Sequence, residues 1–267
     1  MFDNSWVRPH RPPAGVLHLS LPPTLAKVLI GNPWFASVPA AEREALCAVS
    51  EPLRLAAGAM LFRQGDRVPA KGGAFFALLE GRIKLSTLRS DGREAILGML
   101  EPGNWFGEIS LLDDSPRAHD TTALVNCSLL AVPRAAFAAR MRSAPFAQSV
   151  AALVAGRVRS LYDLMEDATL RSSRARVARR LLTLARGDAT RAAEPRTSVV
   201  VPQEALAMML GVSRQTLSKE LQGLVHAGAI ALGYRRIEIR SREILDTLAA
   251  DDGRSPRRQA GAGRRRP

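Results

Sequence analysis

The sequence predicts an α+β protein: an N-terminal β-roll of jelly-roll type, then a long helix, then a C-terminal winged helix-turn-helix domain. Three observations support this fold class. Short apolar strand candidates separated by glycine turns follow one another from Glu51 to Val132, which indicates a roll or barrel. A helical apolar pattern then runs through Pro145–Leu170. Two short helices with apolar stripes follow on either side of Gly211.

The helix-turn-helix is predicted over residues 203–230, QEALAMMLGVSRQTLSKELQGLVHAGAI. Gly211 supplies the left-handed residue that ends the first helix, and Ser213 can cap the second helix. The second helix leaves polar side chains opposite its leucines, which suits base edges and phosphates. The alternative is an ordinary helical hairpin with a solvated face. The candidate DNA-binding residues are Ser213, Arg214, Gln215, Thr216, Ser218 and Lys219 on the helix, with Arg235 and Arg236 further on.

The net charge of +13 is concentrated in the same part of the chain. Residues 1–168 carry a net charge of +2, and residues 169–267 carry +11. A phosphate backbone favours this excess beside a helix-turn-helix. Binding to a membrane surface would need a basic amphipathic helix with aromatic anchors, and the sequence has none.

The sequence favours a cytoplasmic protein. It contains neither a membrane-spanning apolar run nor the apolar stretch of a signal peptide. Cys47 and Cys127 are the only cysteines, and with four scattered histidines they do not have the spacing of a zinc or iron–sulfur site. We therefore expect no metal or iron–sulfur cluster. Each cysteine is expected to be a buried apolar side chain.

The strand candidates of the roll are joined by glycine turns. They are Leu53/Leu55, Met60/Phe62, Phe75–Leu79, Ile83/Leu85, Ile96–Leu100 and Val125–Val132. Asp91-Gly92 between two of them is typical of a hairpin turn. Short helices are expected at Leu25–Leu29 and Ala40–Val49, on either side of Gly31-Asn32-Pro33, and another at Ala135–Met141. The proline-rich residues 1–24 are expected to be a disordered extension.

The long helix over Pro145–Leu170 carries apolar residues at spacings of three and four. They are Val150, Val154, Val158, Leu161, Leu164/Met165 and Ala168. Such a stripe pairs with its own copy or covers the roll, and both can hold on different sides of the helix. The dimer is favoured because a palindromic DNA site requires two-fold symmetry.

After the long helix, Ser173–Arg186 is predicted to be a helix, with Arg174, Arg176, Arg179 and Arg180 on an exposed basic face. A polar loop follows at Gly187–Arg196. Beyond the helix-turn-helix, Ala229–Leu232 and Arg236–Arg240 flank Gly233-Tyr234-Arg235 as the hairpin of a winged helix. Arg235 and Arg236 at its tip suit phosphates. A helix is expected at Ser241–Ala250, and the tail 251–267, with six arginines, is expected to be disordered.

A candidate ligand site interrupts the strands of the roll. Residues 105–112, WFGEISLL, predict one helical turn whose amides open towards the roll, and such an N-terminus binds anions when a cation stands opposite. Arg117 can supply that cation and bind a phosphate through two bonds.

From about Leu53 to Arg240 the sequence resembles the Crp/Fnr family of bacterial transcription regulators. The matching segments are Gln64-Gly65-Asp66, Leu79-Glu80-Gly81, Phe106–Leu112, Pro116-Arg117, Leu210–Leu221 and Gly228-Ala229-Ile230. The resemblance implies a cyclic-nucleotide-binding-like β-roll domain over 25–142, a dimerisation helix over 143–170 and a winged helix-turn-helix domain over 171–250. It also implies that an effector in the roll changes how two recognition helices meet DNA.

The sequence departs from cyclic-AMP-binding members of the family. Gly107, Glu108 and Arg117 match the residues that meet ribose and phosphate there, but Ala118 replaces a hydroxyl residue and His119-Asp120 follows it. In the long helix Leu161-Tyr162 replaces a Thr-Ser pair. Each lost hydroxyl partner costs about 1–3 kcal/mol, so tight cyclic AMP binding is doubtful while another cyclic nucleotide stays open. The candidate effector-binding residues are Gly107, Glu108, Ile109, Ser110, Arg117, Ala118 and His119; His119 either contacts a different effector or closes a surface turn.

The recognition helix departs as well. Several members have Glu and Arg at the positions of Gln215 and Lys219. Because Gln pairs with adenine whereas Glu accepts from cytosine, we expect a half-site different from those of the founding members.

The sequence favours a homodimeric transcription regulator that binds a palindromic site on double-stranded DNA under the control of a small effector. RNA polymerase is a candidate further partner. An enzyme is disfavoured because the roll offers one Glu, one Arg and one His without a nucleophile–base set. The remaining alternative is an effector-independent or non-specific DNA binder of nucleoid type, suggested by the basic tail.

Overall fold

The computed structural model describes residues 23–69, 73–189 and 194–250. The predicted extension 1–24, except for its last two residues, lies outside the described residues. The whole of the basic tail 251–267 lies outside them as well. The chain divides into two compact units. The first extends to Gly156 and takes in the described part of Gly187–Ala193, and the second comprises Arg157–Arg186 and the chain from Glu194.

The first unit is a β-roll with helices at both ends of its sequence. In chain order it contains α1 (Pro23–Ile30), α2 (Pro33–Ser37), α3 (Ala40–Ala48), β1 (Glu51–Leu55), β2 (Met60–Phe62), β3 (Ala74–Glu80), β4 (Ile83–Leu88), β5 (Glu94–Leu100), β6 (Trp105–Phe106), α4 (Ile109–Leu112), β7 (Asp120–Ala123), β8 (Cys127–Pro133) and α5 (Arg134–Arg140). Helix α6 (Ala144–Leu170) begins in this unit and ends in the second. The strands form two antiparallel sheets, ordered β1-β8-β3-β6 and β2-β7-β4-β5.

Strand β3 is apolar from Ala74 to Leu79 because both of its faces are buried, and only its last residue, Glu80, is exposed. Phe76 and Leu78 face the core of the roll together with Phe106 and Leu129. The alternate side chains, among them Phe75, pack outside the sheet against the helices, in a second core that includes Trp105, Phe137 and Phe146. Successive side chains of a strand point to opposite faces, so one continuous apolar run serves two cores.

The second unit contains the predicted winged helix-turn-helix. Its elements are α7 (Ser173–Ala185), β9 (Ser198–Val200), α8 (Gln203–Leu210), α9 (Arg214–His226), β10 (Ile230–Gly233), β11 (Arg236–Ile239) and α10 (Arg242–Ala250). The three strands form an antiparallel sheet ordered β10-β11-β9. The predicted fold class is therefore confirmed.

The structure adds four elements that the sequence analysis missed. Strands β6, β7 and β9 were not predicted, and Trp105-Phe106 pairs with Ala77 and Phe76 of β3 instead of joining the helical turn. Helix α2 is also additional. It begins at Pro33, and the Asn32 side chain caps it by accepting from the amides of Trp34 and Phe35 at 3.0 and 3.2 Å.

Three expectations about burial were wrong. Val150, assigned to the dimer stripe, is buried in the second core, between the sheet and the helices, because the first turns of α6 pack there with Phe146. Of the four arginines expected on an exposed face of α7, only Arg174 is exposed; Arg176 and Arg179 are half-buried, and Arg180 is only 6% exposed. Cys47 is half-buried, whereas Cys127 is buried as expected. The expected domain boundaries after residues 24, 142, 170 and 250 stay predictions, and the division between the units falls inside α6.

Beyond its buried beginning, α6 presents apolar side chains to the solvent. We call Val158, Leu161, Leu164 and Met165 the α6 apolar face; they are 39%, 63%, 42% and 65% exposed. No helix of the described residues is long and apolar enough to cross a membrane.

Candidate nucleic-acid interface and effector site

The turn between α8 and α9 is held by the two residues that the sequence identified. Gly211 has φ 63° and ψ 34°, a left-handed conformation, and its amide donates to the carbonyl of Ala207. Ser213 precedes α9, and its hydroxyl accepts from the amide of Thr216 at 3.1 Å. Together they stop one helix and start the next within three residues, as a helix-turn-helix requires.

Helix α9 buries one side and exposes the other. Leu217, Leu221 and Leu224 are at most 1% exposed. The opposite side presents four of the predicted DNA-binding side chains to solvent, namely Arg214, Gln215, Ser218 and Lys219; Ser213 is exposed as well, and Thr216 is half-buried. Arg214 forms an ion pair with Glu204 in the first turn of α8.

Helix α7 supports this arrangement through two arginines that the sequence analysis treated only as a basic surface. Arg174 Nε lies 3.2 Å from Glu220 Oε2 on α9. Its guanidinium lies over Gly223, where a Cβ would come within 3.1 Å of Arg174 Nη2. Arg176 Nη2 donates to the carbonyl of Leu210, at the end of α8, at 2.5 Å. Both side chains therefore fix the positions of α8 and α9.

The wing is a hairpin with a two-residue tip. Gly233 pairs with Arg236, which leaves Tyr234 and Arg235 to make the turn. Tyr234 is 93% exposed, and Arg235 has a positive φ of 52°. Arg235 and Arg236 are both exposed. The sequence analysis placed both at the tip, but only Arg235 lies there, because Arg236 begins β11 and pairs with Gly233. Glu238 lies 2.9 Å from Arg240 Nη2 and 4.0 Å from Arg236 Nε, so it neutralises part of the charge behind the tip.

In the roll, the structure brings Gly107, Glu108 and Arg117 together. Arg117 is 6% exposed, and its Nη1 donates to the carbonyl of Gly107 at 2.9 Å. Glu108, at the start of α4, is fully buried. Gly107 has φ 92°, and a Cβ there would lie 3.1 Å from the carbonyl oxygen of Ala74 and from Phe76 Cδ2. The glycine is thus required by its backbone conformation and by its close neighbours.

Protein groups already surround the Arg117 cation. Its guanidinium carbon lies 4.1 Å from the centre of the Phe62 ring, a cation–π contact. Burial lowers the pKa of Arg117, whereas the carboxylates of Glu108 and Asp66 act to raise it. Its backbone exchanges 2.8 Å bonds with Gly65 and Asp66, which anchors it to the Gln64-Gly65-Asp66 turn. Phe62 and Asp66 are site residues that the sequence analysis did not name as such.

The other predicted effector residues are distributed around this centre. Ser110 is buried and its hydroxyl donates to the Pro116 carbonyl at 3.3 Å, whereas Ile109 and Ala118 are exposed. His119 is half-buried just before β7, with its ring centre 5.8 Å from that of Phe62. Within the described residues no group of three His, Cys, Asp or Glu side chains could hold a metal ion.

Two family descriptions match the chain. Residues 52–144 match "Cyclic nucleotide-binding domain", and residues 175–248 match "Crp-like helix-turn-helix domain". Among curated proteins, the Cyclic AMP receptor protein of Thermus thermophilus is 33% identical over 72% of this chain and 85% of its own length. A CRP-like cAMP-activated global transcriptional regulator of Mycobacterium tuberculosis is 27% identical over 73% and 86%. The solved structure of FixK2 from Bradyrhizobium japonicum superposes with a TM-score of 0.64 at 25% identity, covering 76% of this chain and 98% of that one.

A roll of the cyclic-nucleotide-binding type, followed by a long helix and a winged helix-turn-helix, defines a DNA-binding transcription regulator. The similarity to the Thermus protein extends through both parts of the chain. The chain belongs to the Crp/Fnr family of transcription regulators.

Proposed function

We propose that the protein acts as a homodimer on a palindromic DNA site, with one α9 in the major groove of each half-site. The observation that carries the proposal is the exposed polar side of α9, whose leucines are buried behind it. Recognition helices of this kind contact base edges through the residues of their first turns. We assign Arg214, Gln215, Ser218 and Lys219 to that contact, and Ser213, Thr216, Arg235 and Arg236 to the DNA backbone.

The α6 apolar face supports the dimer. Its members recur every three or four residues, and Leu161 and Met165 are each more than three-fifths exposed. Burying a side chain of this size stabilises an interface by about 1.5–3 kcal/mol, so a second copy of α6 is the occupant that symmetry favours. Leu161→Glu should shift the protein from dimer to monomer in sedimentation equilibrium. Arg159→Glu, an exposed position off this face, is the matched control, and equal dissociation of both variants would contradict the assignment.

Base preference tests the position of α9 on the DNA. Binding sites selected by the purified protein from random duplexes should share a palindromic motif. Gln215→Glu should replace the preferred base at one position of each half-site, because the side chain changes from pairing with adenine to accepting from cytosine. Arg235→Ala should weaken binding to all sequences alike. An unchanged motif for Gln215→Glu would mean that α9 lies on the DNA in another register.

We propose that an anionic effector binds the roll at Gly107, Glu108 and Arg117, with Ile109, Ser110, Ala118 and His119 around it. The buried guanidinium of Arg117 supports this assignment. The names of the relatives from Thermus thermophilus and Mycobacterium tuberculosis contain cyclic AMP, which makes cyclic nucleotides the first compounds to test. Because Ala118 has no hydroxyl, Ala118→Ser should tighten cyclic AMP binding at least fivefold, corresponding to about 1 kcal/mol or more. Calorimetry measures the two affinities for cyclic AMP. Equal affinities of the wild-type protein and Ala118→Ser would show that residue 118 does not contact the nucleotide.

A second candidate function is sequence-blind DNA binding without an effector, as in a nucleoid protein. The net charge of +11 over residues 169–267 favours it. If the selection from random duplexes yields no motif, and DNA affinity changes with salt concentration but not with sequence, the results support this function over that of a sequence-specific regulator.

Three further proposals follow from the function of a transcription regulator. We propose that the protein catalyses no reaction, that it works in the cytoplasm where bacterial DNA lies, and that RNA polymerase is a partner at promoters. Co-purification with the polymerase on promoter DNA tests the last of these.

A further inference from the structure

We propose that Tyr234 enters the DNA minor groove next to the half-site contacted by α9, and that the wing thereby adds a preference for A·T over G·C pairs. The inference rests on the proposed mode of DNA binding and extends it to a residue outside the recognition helix. Three properties of the wing tip carry it: the exposure of the ring, the backbone conformation beside it and the surrounding charge.

The ring of Tyr234 has no packing role in the protein. At 93% exposure it is the most exposed of the large apolar side chains in the described ranges, whereas Ile237 on the same hairpin is 1% exposed. An apolar ring held in water loses the free energy of burial that a partner would restore. Its place at the outermost point of the hairpin makes it the first side chain to meet a surface.

The backbone beside the ring is strained. Arg235 has a φ of 52°, in the left-handed region where two-residue hairpin turns favour Gly, Asn or Asp. An arginine in this conformation destabilises the folded state, and strain of this kind concentrates at functional sites. The tip therefore carries Tyr-Arg at a place where a more stable turn sequence exists.

The charge around the ring suits DNA. Arg235 and Arg236 are exposed next to Tyr234, while Glu238 behind the tip pairs with Arg240 at 2.9 Å and lies 4.0 Å from Arg236 Nε. The positive charge that Glu238 neutralises least is therefore that of Arg235, in the tip itself. Narrow A·T-rich minor grooves have the strongest negative potential, so Arg235 on the neighbouring backbone holds the ring at the mouth of such a groove.

The size of the hairpin selects the groove. Two paired strands are about 4.8 Å apart between their backbones alone, and a minor groove is about 6 Å wide, so strands with side chains do not enter it. The side chains of a two-residue tip are narrow enough to enter, because they project beyond the last paired residues of the two strands. The major groove of the half-site is already occupied by α9 in the proposed complex.

The test changes the minor groove alone. Replacing G·C by inosine·C removes the amino group from that groove, and replacing A·T by 2-aminoadenine·T adds it, while the major-groove acceptors and donors stay the same. Duplexes carry these pairs at each position flanking the selected half-site, and the dissociation constant of the full chain is measured for each. The wild-type protein should bind A·T and inosine·C flanks about tenfold more tightly than G·C and 2-aminoadenine·T flanks, as a single base-pair change in a contacted site does.

Three variants complete the experiment. Tyr234→Ala should reduce the flank preference to below about twofold without changing the motif contacted by α9. Tyr234→Phe should keep the preference, because the ring and not its hydroxyl enters the groove. Leu88→Ala, at the end of β4 and 60% exposed, is the control and should change nothing.

The outcomes distinguish failure of the Tyr234 inference from failure of the proposed function. Wild-type protein that does not distinguish the flanks overturns the inference, and so does Tyr234→Ala with an unchanged preference. Loss of affinity in Tyr234→Phe equal to that in Tyr234→Ala would also overturn it, because it would assign the tyrosine to a phosphate through its hydroxyl. Failure of the wild-type protein to select any motif would instead refute the proposed function.

Discussion

Replacing Gly107 by alanine tests whether the turn before α4 requires a residue without a side chain. The glycine has φ 92°, and an added Cβ would lie 3.1 Å from the carbonyl oxygen of Ala74, 3.1 Å from Phe76 Cδ2 and 3.4 Å from Arg117 Nη1. Gly92 in the β4–β5 turn is a matched control. It has φ 81°, but an added Cβ there would meet nothing within 4 Å.

Both substitutions carry the cost of a strained backbone, but only Gly107→Ala also carries a cost of overpacking. Forcing alanine into the left-handed region costs about 1–2 kcal/mol at either position. Overpacking adds about 1–3 kcal/mol at Gly107 alone, because the Ala74 carbonyl belongs to the backbone of β3 and cannot move freely. We therefore expect Gly107→Ala to unfold about 2–12 °C below Gly92→Ala, taking 2–4 °C for each kcal/mol.

Thermal unfolding of the full chain, followed by circular dichroism and calorimetry, measures the difference. The transition of the roll has to be assigned first, because the chain has two compact units. Equal melting temperatures for the two variants would refute the reasoning, since they would show that the neighbours of Gly107 move aside without cost.

Three further predictions concern other parts of the chain. Arg235→Gly should raise the melting temperature of the winged domain by relieving about 1 kcal/mol of strain, while it lowers DNA affinity; a change of both in the same direction would contradict the strained tip. Gly223→Ala alone should change the free energy of unfolding, measured by denaturant titration, by less than about 0.5 kcal/mol, because the gain in helix propensity offsets the disturbed Arg174–Glu220 pair. In an Arg174→Ala background, where that pair is absent, the same substitution should stabilise the protein by about 1 kcal/mol. Burial raises the pKa of the Cys47 thiol to about 11, so alkylation at pH 8 should be roughly a hundredfold slower than for a free cysteine and should accelerate up to pH 11, as peptide mapping by mass spectrometry would show.

The sequence predicted those strands of the roll that are long and apolar. The run at β3 identified a buried strand by composition, and Asp91-Gly92 identified the hairpin between β4 and β5, which the structure confirms. Strand β6 has only two residues, and it exists because Ala77 and Phe76 offer it partners from far away in the sequence. Such pairing leaves no local periodicity to detect. For β7, the two threonines of Asp120–Ala123 were an available signal, since β-branched residues favour strands.

The site was predicted less completely than the fold because its contacts are tertiary. Gly107, Glu108 and Arg117 were found from a motif, but no pattern connects Phe62 to Arg117, which stacks on it. Arg180 was misassigned because charge alone placed it on a surface, whereas the structure buries it among the apolar side chains of α7. Tyr234 was seen only as part of a turn, and its functional interest comes from an exposure that a sequence does not contain.

The arginines of the two candidate sites differ in how firmly the protein already holds them, and this difference predicts how selective each site is. Arg214 pairs with Glu204 on the surface, with side chains 73% and 59% exposed, and such a pair contributes at most about 1 kcal/mol. DNA can therefore displace Glu204 at little cost, and the full strength of the guanine or phosphate contact counts towards affinity. Arg117 is buried, and its bond to the Gly107 carbonyl, a hydrogen bond to a charged group, contributes about 1.5–3 kcal/mol.

An effector at Arg117 has to keep that bond or replace it with a better one. A ligand whose phosphate reaches the guanidinium but whose remaining polar groups find no partners would lose both the replaced bond and its own hydration. Ala118 has no hydroxyl to offer cyclic AMP as such a partner. We therefore expect the roll to bind different anions with very different affinities. The exposed arginines of α9 and the wing, by contrast, should accept DNA of many sequences with modest differences. The base contacts of Gln215, Ser218 and Lys219, together with Tyr234 in the flanking minor groove, then decide among them.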